Sequence, residues 1–403
     1  MCYTYVPHLL YINTAQGKAD MNPIIENRDN SSSDTPIQVV GAGPAGLATA
    51  ITLARADRKV IVHEAQNEVG HRFKGDFQGL ENWSSREDVL TSLECQGFEI
   101  NFTAQPFSHG RAFDAWDIPY NINCDKPFFY LIERGPGDNT LDTGLLKQAL
   151  ALGVEVRFND RVDQVDGTGI LAAGPKVPDA IAVGYHFETD MPDGCWVICN
   201  DDLAPKGYAY LLVMAGRGTV KTCMFTGFKQ EKIYLERTID AFQRLVGLKM
   251  KNPQAHGGAG NFRIPKSGYS GYHPVVGEQA GFQDTLWGFG IRLAIGSGVL
   301  AAKSLLGNHN YDDLWHSDLR PQMQTAVINR ALYDLLGNRG YRWFLRRMTG
   351  KKNVRQALYR AYQPSFFKRW LLPWALTRYE SRRKDVTCNH IDCHCVWCRQ
   401  CAA

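Results

Sequence analysis

The sequence predicts an α/β fold with α+β elements, in which a nucleotide-binding domain is interleaved with a β-sheet domain and followed by helices. Three observations carry this expectation. Residues 37–40 (IQVV) are a short apolar run that ends on Gly41-Ala42-Gly43-Pro44-Ala45-Gly46. Residues 47–56 then have helical composition, and residues 59–64 (KVIVHE) read as a second strand closing on an acid. Far downstream, a glycine-rich loop beginning at Gly277 passes into an amphipathic helix from about Ile291.

Each part of the first unit has a mechanical role in a Rossmann-like strand, turn, helix and strand. Gly41 permits the tight turn, Gly43 lets backbone approach a pyrophosphate, and Gly46 allows close packing of helix on strand. Pro44 and Ala45 open the helix, whose N-terminus presents free N–H groups and the positive end of its dipole to phosphate. Glu64, followed by Ala65, stands where a carboxylate accepts hydrogen bonds from both ribose hydroxyls, which disfavours a 2′-phosphate. Residues 257–260 (GGAG) have no apolar strand before them and read as a loop. A single fingerprint near the N-terminus argues for FAD over NAD.

In the downstream segment, small residues at Ala294, Gly296, Ser297, Gly298, Ala301 and Ala302 let a ligand or another backbone come close. Gly288, Gly290 and the helix start at Ile291 are placed to hold a flavin edge or a phosphate by backbone donors. Tight packing on the sheet is the bland alternative. The segment resembles the geranylgeranyl reductase family, within the para-hydroxybenzoate-hydroxylase-like flavoproteins. Gly277-Glu278-Gln279-Ala280-Gly281 stands for that family's Gly-Asp-Ala-Ala-Gly, Gly288-Phe289-Gly290-Ile291 for its Gly-x-Gly-Ile, and Ser297-Gly298-Val299-Leu300-Ala301-Ala302 for its helix. The resemblance implies that Glu278 replaces an aspartate near the FAD ribitol and that Gly288 and Gly290 lie by the isoalloxazine.

Other segments resemble the family more loosely. Arg134, followed by Leu141-Asp142 and Leu145, is similar to its Arg-x-x-Leu-Asp-x-x-Leu, which implies a pairing of Arg134 with the FAD pyrophosphate; a surface arginine is the alternative. Residues 154–158 and 170–174 fit later strands of an FAD domain, with Ala172-Ala173-Gly174-Pro175 where the family has Gly-Ala-Asp-Gly. Residues 203–212 (LAPKGYAYLL) resemble the Gly-Tyr-x-Trp-x-Phe-Pro segment that lines the family's prenyl cavity. There the alternation of Tyr208, Tyr210 and Leu212 puts one bulky face on a strand. Residues 73–83 read as a loop closing over the dinucleotide, with Arg72 and Lys74 placed to meet phosphate or simply solvated. Tyr208, Tyr210 and Cys195 are the proton-donor candidates.

With 403 residues, 44% hydrophobic and 21% charged, the chain has the makings of a globular enzyme. A net charge of +4 does not argue for nucleic acid, and no such partner is expected. Residues 339–384 hold fourteen Lys or Arg against the single acid Glu380, interleaved with aromatics. Such helices either lie on an anionic membrane or cap the catalytic domain. Cys388, Cys393, Cys395, Cys398 and Cys401 crowd the tail, with spacings that suit an iron–sulfur cluster, zinc or a redox-active dithiol.

The expected organisation is a disordered extension over 1–36, with Met21 as an alternative start. FAD-binding parts span 37–190 and 269–310, around a substrate domain over 191–268. A basic helical region over 311–384 and a Cys-rich tail over 385–403 complete the chain. The leading expectation is an FAD-dependent reductase of prenyl or other lipid C=C bonds, fed by NAD(P)H or ferredoxin as an electron-donor protein. An FAD-dependent monooxygenase, and an electron-transfer or metal-handling flavoprotein using the terminal thiols, are the alternatives. The expected location is the cytoplasm, with or without peripheral membrane contact.

Overall fold

A computed structural model describes residues 35–380 apart from 175–178, 263 and 350–352. The expectations for residues 1–34 and for the terminal cysteines lie outside the described residues.

The chain begins β1 (Ile37–Val40), α1 (Pro44–Ala54) and β2 (Val60–His63). β1 pairs in parallel with β2, because the helix between them carries the chain back to the same sheet edge. Next come β3 (Asp76–Glu81), α2 (Val89–Cys95), β4 (Ala104–Phe107), β5 (His109–Asp114), β6 (Pro119–Asn123) and β7 (Phe129–Arg134). The loop expected over 73–83 is therefore half strand. β3 pairs antiparallel with β7, a nearly fully buried run that supplies the ladder its own composition did not advertise.

After α3 (Leu141–Ala151), the strands β8 (Glu155–Arg157) and β9 (Gly169–Leu171) complete a four-stranded parallel sheet in the order β8-β2-β1-β9. Four longer strands follow: β10 (Ala180–Glu188), β11 (Gly194–Cys199), β12 (Tyr208–Met214) and β13 (Arg217–Met224). Helix α4 (Glu231–Val246) and β14 (Lys251–Gly260) close this part.

These strands form a seven-stranded mixed sheet in the order β14-β10-β13-β12-β11-β5-β6. Two expectations change here. The sheet domain reaches back before residue 191, because β5 pairs in parallel with β11 and β10 pairs with β13. Residues 257–260 lie in the edge strand β14, not in a loop. Their backbone is laddered to β10, and a strand paired on one side needs no apolar side chains of its own. Helix α4 covers one face of the sheet through Ala241 and Phe242, against Phe187, Leu211, Val213 and Val220. The other face looks inward.

The chain then returns to the nucleotide-binding sheet with α5 (Ile291–Gly307) and ends in α6 (Tyr311–Asp318), α7 (Arg320–Thr349), α8 (Val354–Tyr362) and α9 (Phe366–Glu380). α7 bends at Gly337, whose φ of 56° breaks the helical path. No helix among the described residues is long and apolar enough to cross a membrane.

α1 and α5 pack at backbone distance. A Cβ on Gly298 would stand 2.3 Å from the Ala45 carbonyl oxygen and 2.9 Å from Thr49 Oγ1. The Thr49 hydroxyl lies 2.9 Å from the Ala45 oxygen and 3.1 Å from the Gly298 oxygen, and is shared between them. Gly298 of α5 thus serves a close helix–helix approach. Gly298→Ala should destabilise the protein by about 1–3 kcal/mol, the usual cost of overpacking, read as a shift in urea midpoint at unchanged m-value.

Candidate functional site

A cavity of about 1190 Å³ runs between the parallel sheet and the inner face of the mixed sheet. At one end it meets the turn from β1 to α1. Gly41 has φ of 108°, and a Cβ there would lie 2.3 Å from the Ala172 carbonyl oxygen, so only glycine makes this turn. A Cβ on Gly46 would stand 2.0 Å from the Gly41 oxygen. Gly43 differs: its Cβ direction has no protein atom within 4 Å and points into the cavity it lines. No side chain caps α1, whose first N–H groups are left for an anion. α5 is likewise uncapped at Gly290, and Gly288, Phe289, Gly290 and Ile291 line the same cavity.

Glu64 and Ala65 also line this end, beside Pro44 and Ala45. Glu64 accepts hydrogen bonds from the Ala42 N–H (2.8 Å) and the Gln66 N–H (2.9 Å), which fix the carboxylate at the end of β2. Arg72 reaches across to Glu278, with Nη2 3.0 Å from Oε2. Burial pushes the Glu278 carboxyl up, and the Arg72 charge opposes the shift. Arg134 is buried, and its fork holds Asp142 at 2.8 and 2.7 Å while its remaining nitrogen donates to Gln78 at 2.9 Å. It borders the cavity as a positioned cation whose charge is already matched. Two uncapped helix starts, an open Gly43 and a fixed ribose-side acid fit a dinucleotide with its pyrophosphate at α1.

The inner face of the mixed sheet forms the other wall. One row of side chains crosses all seven strands, from Tyr120 on β6 through Ala112, Val197 and Tyr210 to Lys221, Gly184 and His256 on β14. From β6 to β12 the face is largely apolar, with Asp114 at its edge held by Tyr120 and Arg342, and it is closed over by Phe128, Phe129, Trp83 and Trp287, together with Phe344, Leu345 and Met348 of α7. From β13 to β14 it becomes ionisable. Lys221 Nζ lies 2.6 Å from Asp76 Oδ2, with both side chains 2% exposed. His186 and His256 stand beside the same carboxylate at 3.5 and 4.0 Å.

The three proton-donor candidates all lie in the cavity wall. Burial pushes the Cys195 thiol up to about 12, so it is a neutral thiol at physiological pH. The Tyr208 hydroxyl donates to the Trp287 carbonyl and fastens the loop before α5. Burial raises both Tyr208 and Tyr210 well above the ordinary phenol range. Asp76, Lys221, His186 and His256 escaped the sequence reading. The available signal was a lysine between Val220 and Thr222 in the β-prone run RGTVKTCM, two residues from the strand's other inward-facing positions.

Residues 39–78 match the profile of the NAD(P)-binding Rossmann-like domain. No curated sequence matches the chain. Among solved structures, the chain is similar to a geranylgeranyl bacteriochlorophyll reductase-like protein from Thermoplasma acidophilum, with 16% identity, a TM-score of 0.65, and coverage of 85% of this chain and 95% of that one. It is also similar to a myxobacterial chondrochloren halogenase, described as FAD-dependent (15%, TM-score 0.55, 85% and 96%). A third is a peptidyl tryptophan dihydroxylase (16%, 0.55, 74% and 75%). The chain therefore shares the fold of these structures: a Rossmann-like region, a mixed-sheet domain and C-terminal helices.

The loop before α5 carries a buried acid. Asp284 accepts from the Trp287 N–H at 2.7 Å and from the Tyr362 hydroxyl of α8 at 3.0 Å, and burial pushes its carboxyl up to about 7. A carboxyl raised in the folded state stabilises fully below its unfolded value near 4 and loses that contribution as pH rises through about 7. Asp284→Asn should therefore cancel a fall in stability between about pH 4 and 7 of up to about 4 kcal/mol. Paired urea titrations of the two proteins across that range check it.

Proposed function

We propose that this chain is an FAD-dependent oxidoreductase that acts on an apolar substrate held under the mixed sheet. The observation that carries this reading is one continuous cavity with the uncapped starts of α1 and α5 at one end and the aromatic half of the sheet at the other. FAD supplies hydride transfer and oxygen chemistry when bound. In this reading the α1 start and Gly43 hold its pyrophosphate, Glu64 its ribose, and Gly288 to Ile291 its ring edge by backbone donors. Tyr208, through Trp287, and Tyr362, through Asp284, keep that loop in place. The aromatic wall orients the substrate and excludes water.

Oxygen-dependent hydroxylation is the finer reading we carry forward. Similar folds that are named as a halogenase and a dihydroxylase support it. The second reading is saturation of carbon–carbon double bonds in a prenyl or other lipid chain. The reductase-like protein of the same fold and the run Ser297-Gly298-Val299-Leu300-Ala301-Ala302 favour it. Both take electrons from NAD(P)H or from a donor protein such as ferredoxin. Product analysis separates them: hydroxylated product with NAD(P)H under air supports the first, and anaerobic saturation of a polyprenyl substrate supports the second.

Substrate entry from a lipid surface belongs to the same proposal. Phe366, Phe367 and Trp370 of α9 are 89%, 64% and 72% exposed, in a region where basic residues far outnumber acids. Trp343, also exposed, adjoins Phe344 and Leu345 of the cavity wall. Exposed aromatics beside basic side chains suit an anionic bilayer surface. Lys368 stands apart, since its ammonium caps the end of α8 on the Ala361 and Gln363 carbonyls.

Two measurements test the proposal. Purified protein should be yellow and retain FAD, and Gly43→Val should fold normally yet bind FAD at least about tenfold more weakly, since the added atoms enter ligand space. Colourless wild-type protein that takes up no FAD on reconstitution defeats the reading. Vesicles containing anionic phospholipid should sediment the protein, neutral vesicles should not, and a Phe366→Ser, Phe367→Ser, Trp370→Ser variant should stay in the supernatant with anionic vesicles.

A further inference from the structure

Lys221 is a buried lysine in the middle of a largely buried strand, and the surrounding residues are arranged to receive it. Its cross-strand neighbours are Tyr210 and Gly184. A Cβ on Gly184 would stand 2.7 Å from Lys221 Cγ, so the missing side chain leaves room for the lysine stem. The stem ends on Asp76, which belongs to β3, outside the mixed sheet. Asp76 Oδ1 lies 3.5 Å from His186 Nε2 and 3.4 Å from Thr219 Oγ1. The two imidazoles meet edge to face at 4.3 Å, and His256 Nε2 lies 3.1 Å from the Arg72 carbonyl oxygen. His186 Nε2 and His256 Nδ1 are buried without a hydrogen-bond partner, an arrangement that a purely structural ion pair does not require.

We infer that Lys221 delivers protons into this cavity, and that Asp76 and His186 refill it from solvent while His256 flanks the same carboxylate. The inference rests on the reading that the cavity holds FAD and substrate. Lys221 borders the cavity where its ionisable and apolar halves meet, and His186 is the more exposed of the two histidines, at 18% against 9%. Solvent, His186, Asp76 and Lys221 thus form a line from surface to cavity. The simplest reaction that draws on it is reoxidation of the reduced cofactor by oxygen. Bound FAD, once reduced, would supply a hydride equivalent to O2, and one proton would complete hydrogen peroxide. Lys221 gives that proton, is left as the amine, and regains a proton along the line.

Burial holds His186 down to about 4 and also lowers His256, with the Lys221 charge pushing both further down and Asp76 opposing. The other charges facing the pair are Arg217, which is bound to Glu133, and Lys74. Cys223, held up at about 12, and Tyr210 face the site in neutral form. Both imidazoles are therefore held toward the neutral form.

Two measurements test this. In 15N-histidine NMR of the protein without added cofactor, His186 should stay neutral to below about pH 5 and His256 should titrate below the ordinary imidazole range, and in Lys221→Met both should titrate at higher pH because Asp76 is left unopposed. In FAD-loaded protein reduced with dithionite, reoxidation by air should slow at least about tenfold in Lys221→Met and in Lys221→Arg, since arginine keeps the charge but does not release a proton. A Lys221→Met, Asp76→Asn double variant, which leaves no unpaired buried charge, should be equally slow and covers failure of the single variant to fold. Histidines that titrate near their ordinary value in the wild type, unchanged reoxidation, or rescue by arginine would each overturn the inference. Failure to bind FAD would defeat the proposed function, whereas the histidine titration tests the charge arrangement of the site independently of it.

Discussion

The backbone-distance contact between α1 and α5 is the constraint on which the site depends. These helices lie some 250 residues apart in sequence, yet Thr49 and Gly298 share a hydroxyl and Ala45 lies against the Gly298 backbone. Close packing brings both uncapped N-termini to bear on one cavity, and each contributes unsatisfied N–H groups and the positive end of its dipole. One such terminus is a place for a phosphate. Two that open on the same space, with Glu64 and Glu278 beside them, make a cradle for an extended ligand with separated acceptors.

The second constraint is the parity of the mixed sheet. Alternation along a strand sends every second residue inward, and register aligns those residues into rows. The row through Tyr210 and Lys221 changes from apolar to ionisable between two neighbouring strands, so one surface carries both the wall for a hydrophobic molecule and a proton-handling group. The far face packs on α4 and is free of this demand. The C-terminal helices then close the apolar half, while Tyr333 and Tyr362 send their hydroxyls to the Gly207 carbonyl and to Asp284. The region that the sequence marked chiefly by its positive charge is thus structural on its inner side and aromatic on its outer one.

Much was legible in the sequence where function is local. The turn Gly41 to Gly46 and the helix from Ile291 are short-range features, since a tight turn and a closely packed helix each constrain the residues that make them. The fold class followed from these two segments and their order along the chain. Strands without internal apolar pattern were not legible: β3 and β14 exist because β7 and β10 offer them partners, and the backbone bonds that hold them carry no side-chain signature. The limits of the sheet domain escaped for the same reason, because β5 joins β11 across some 80 residues of intervening chain.

Tertiary structure alone decided which charges meet. His186, Lys221 and His256 come from three strands of the mixed sheet and Asp76 from β3 outside it, so only strand register and the packing of β3 on that sheet bring them together. By itself the sequence determined a nucleotide-binding start, a second glycine-rich helix and the general α/β plan, because these depend on residues adjacent in the chain. The folded structure decided the cavity's division into apolar and ionisable halves, because that division depends on which inward-facing residues the sheet lines up.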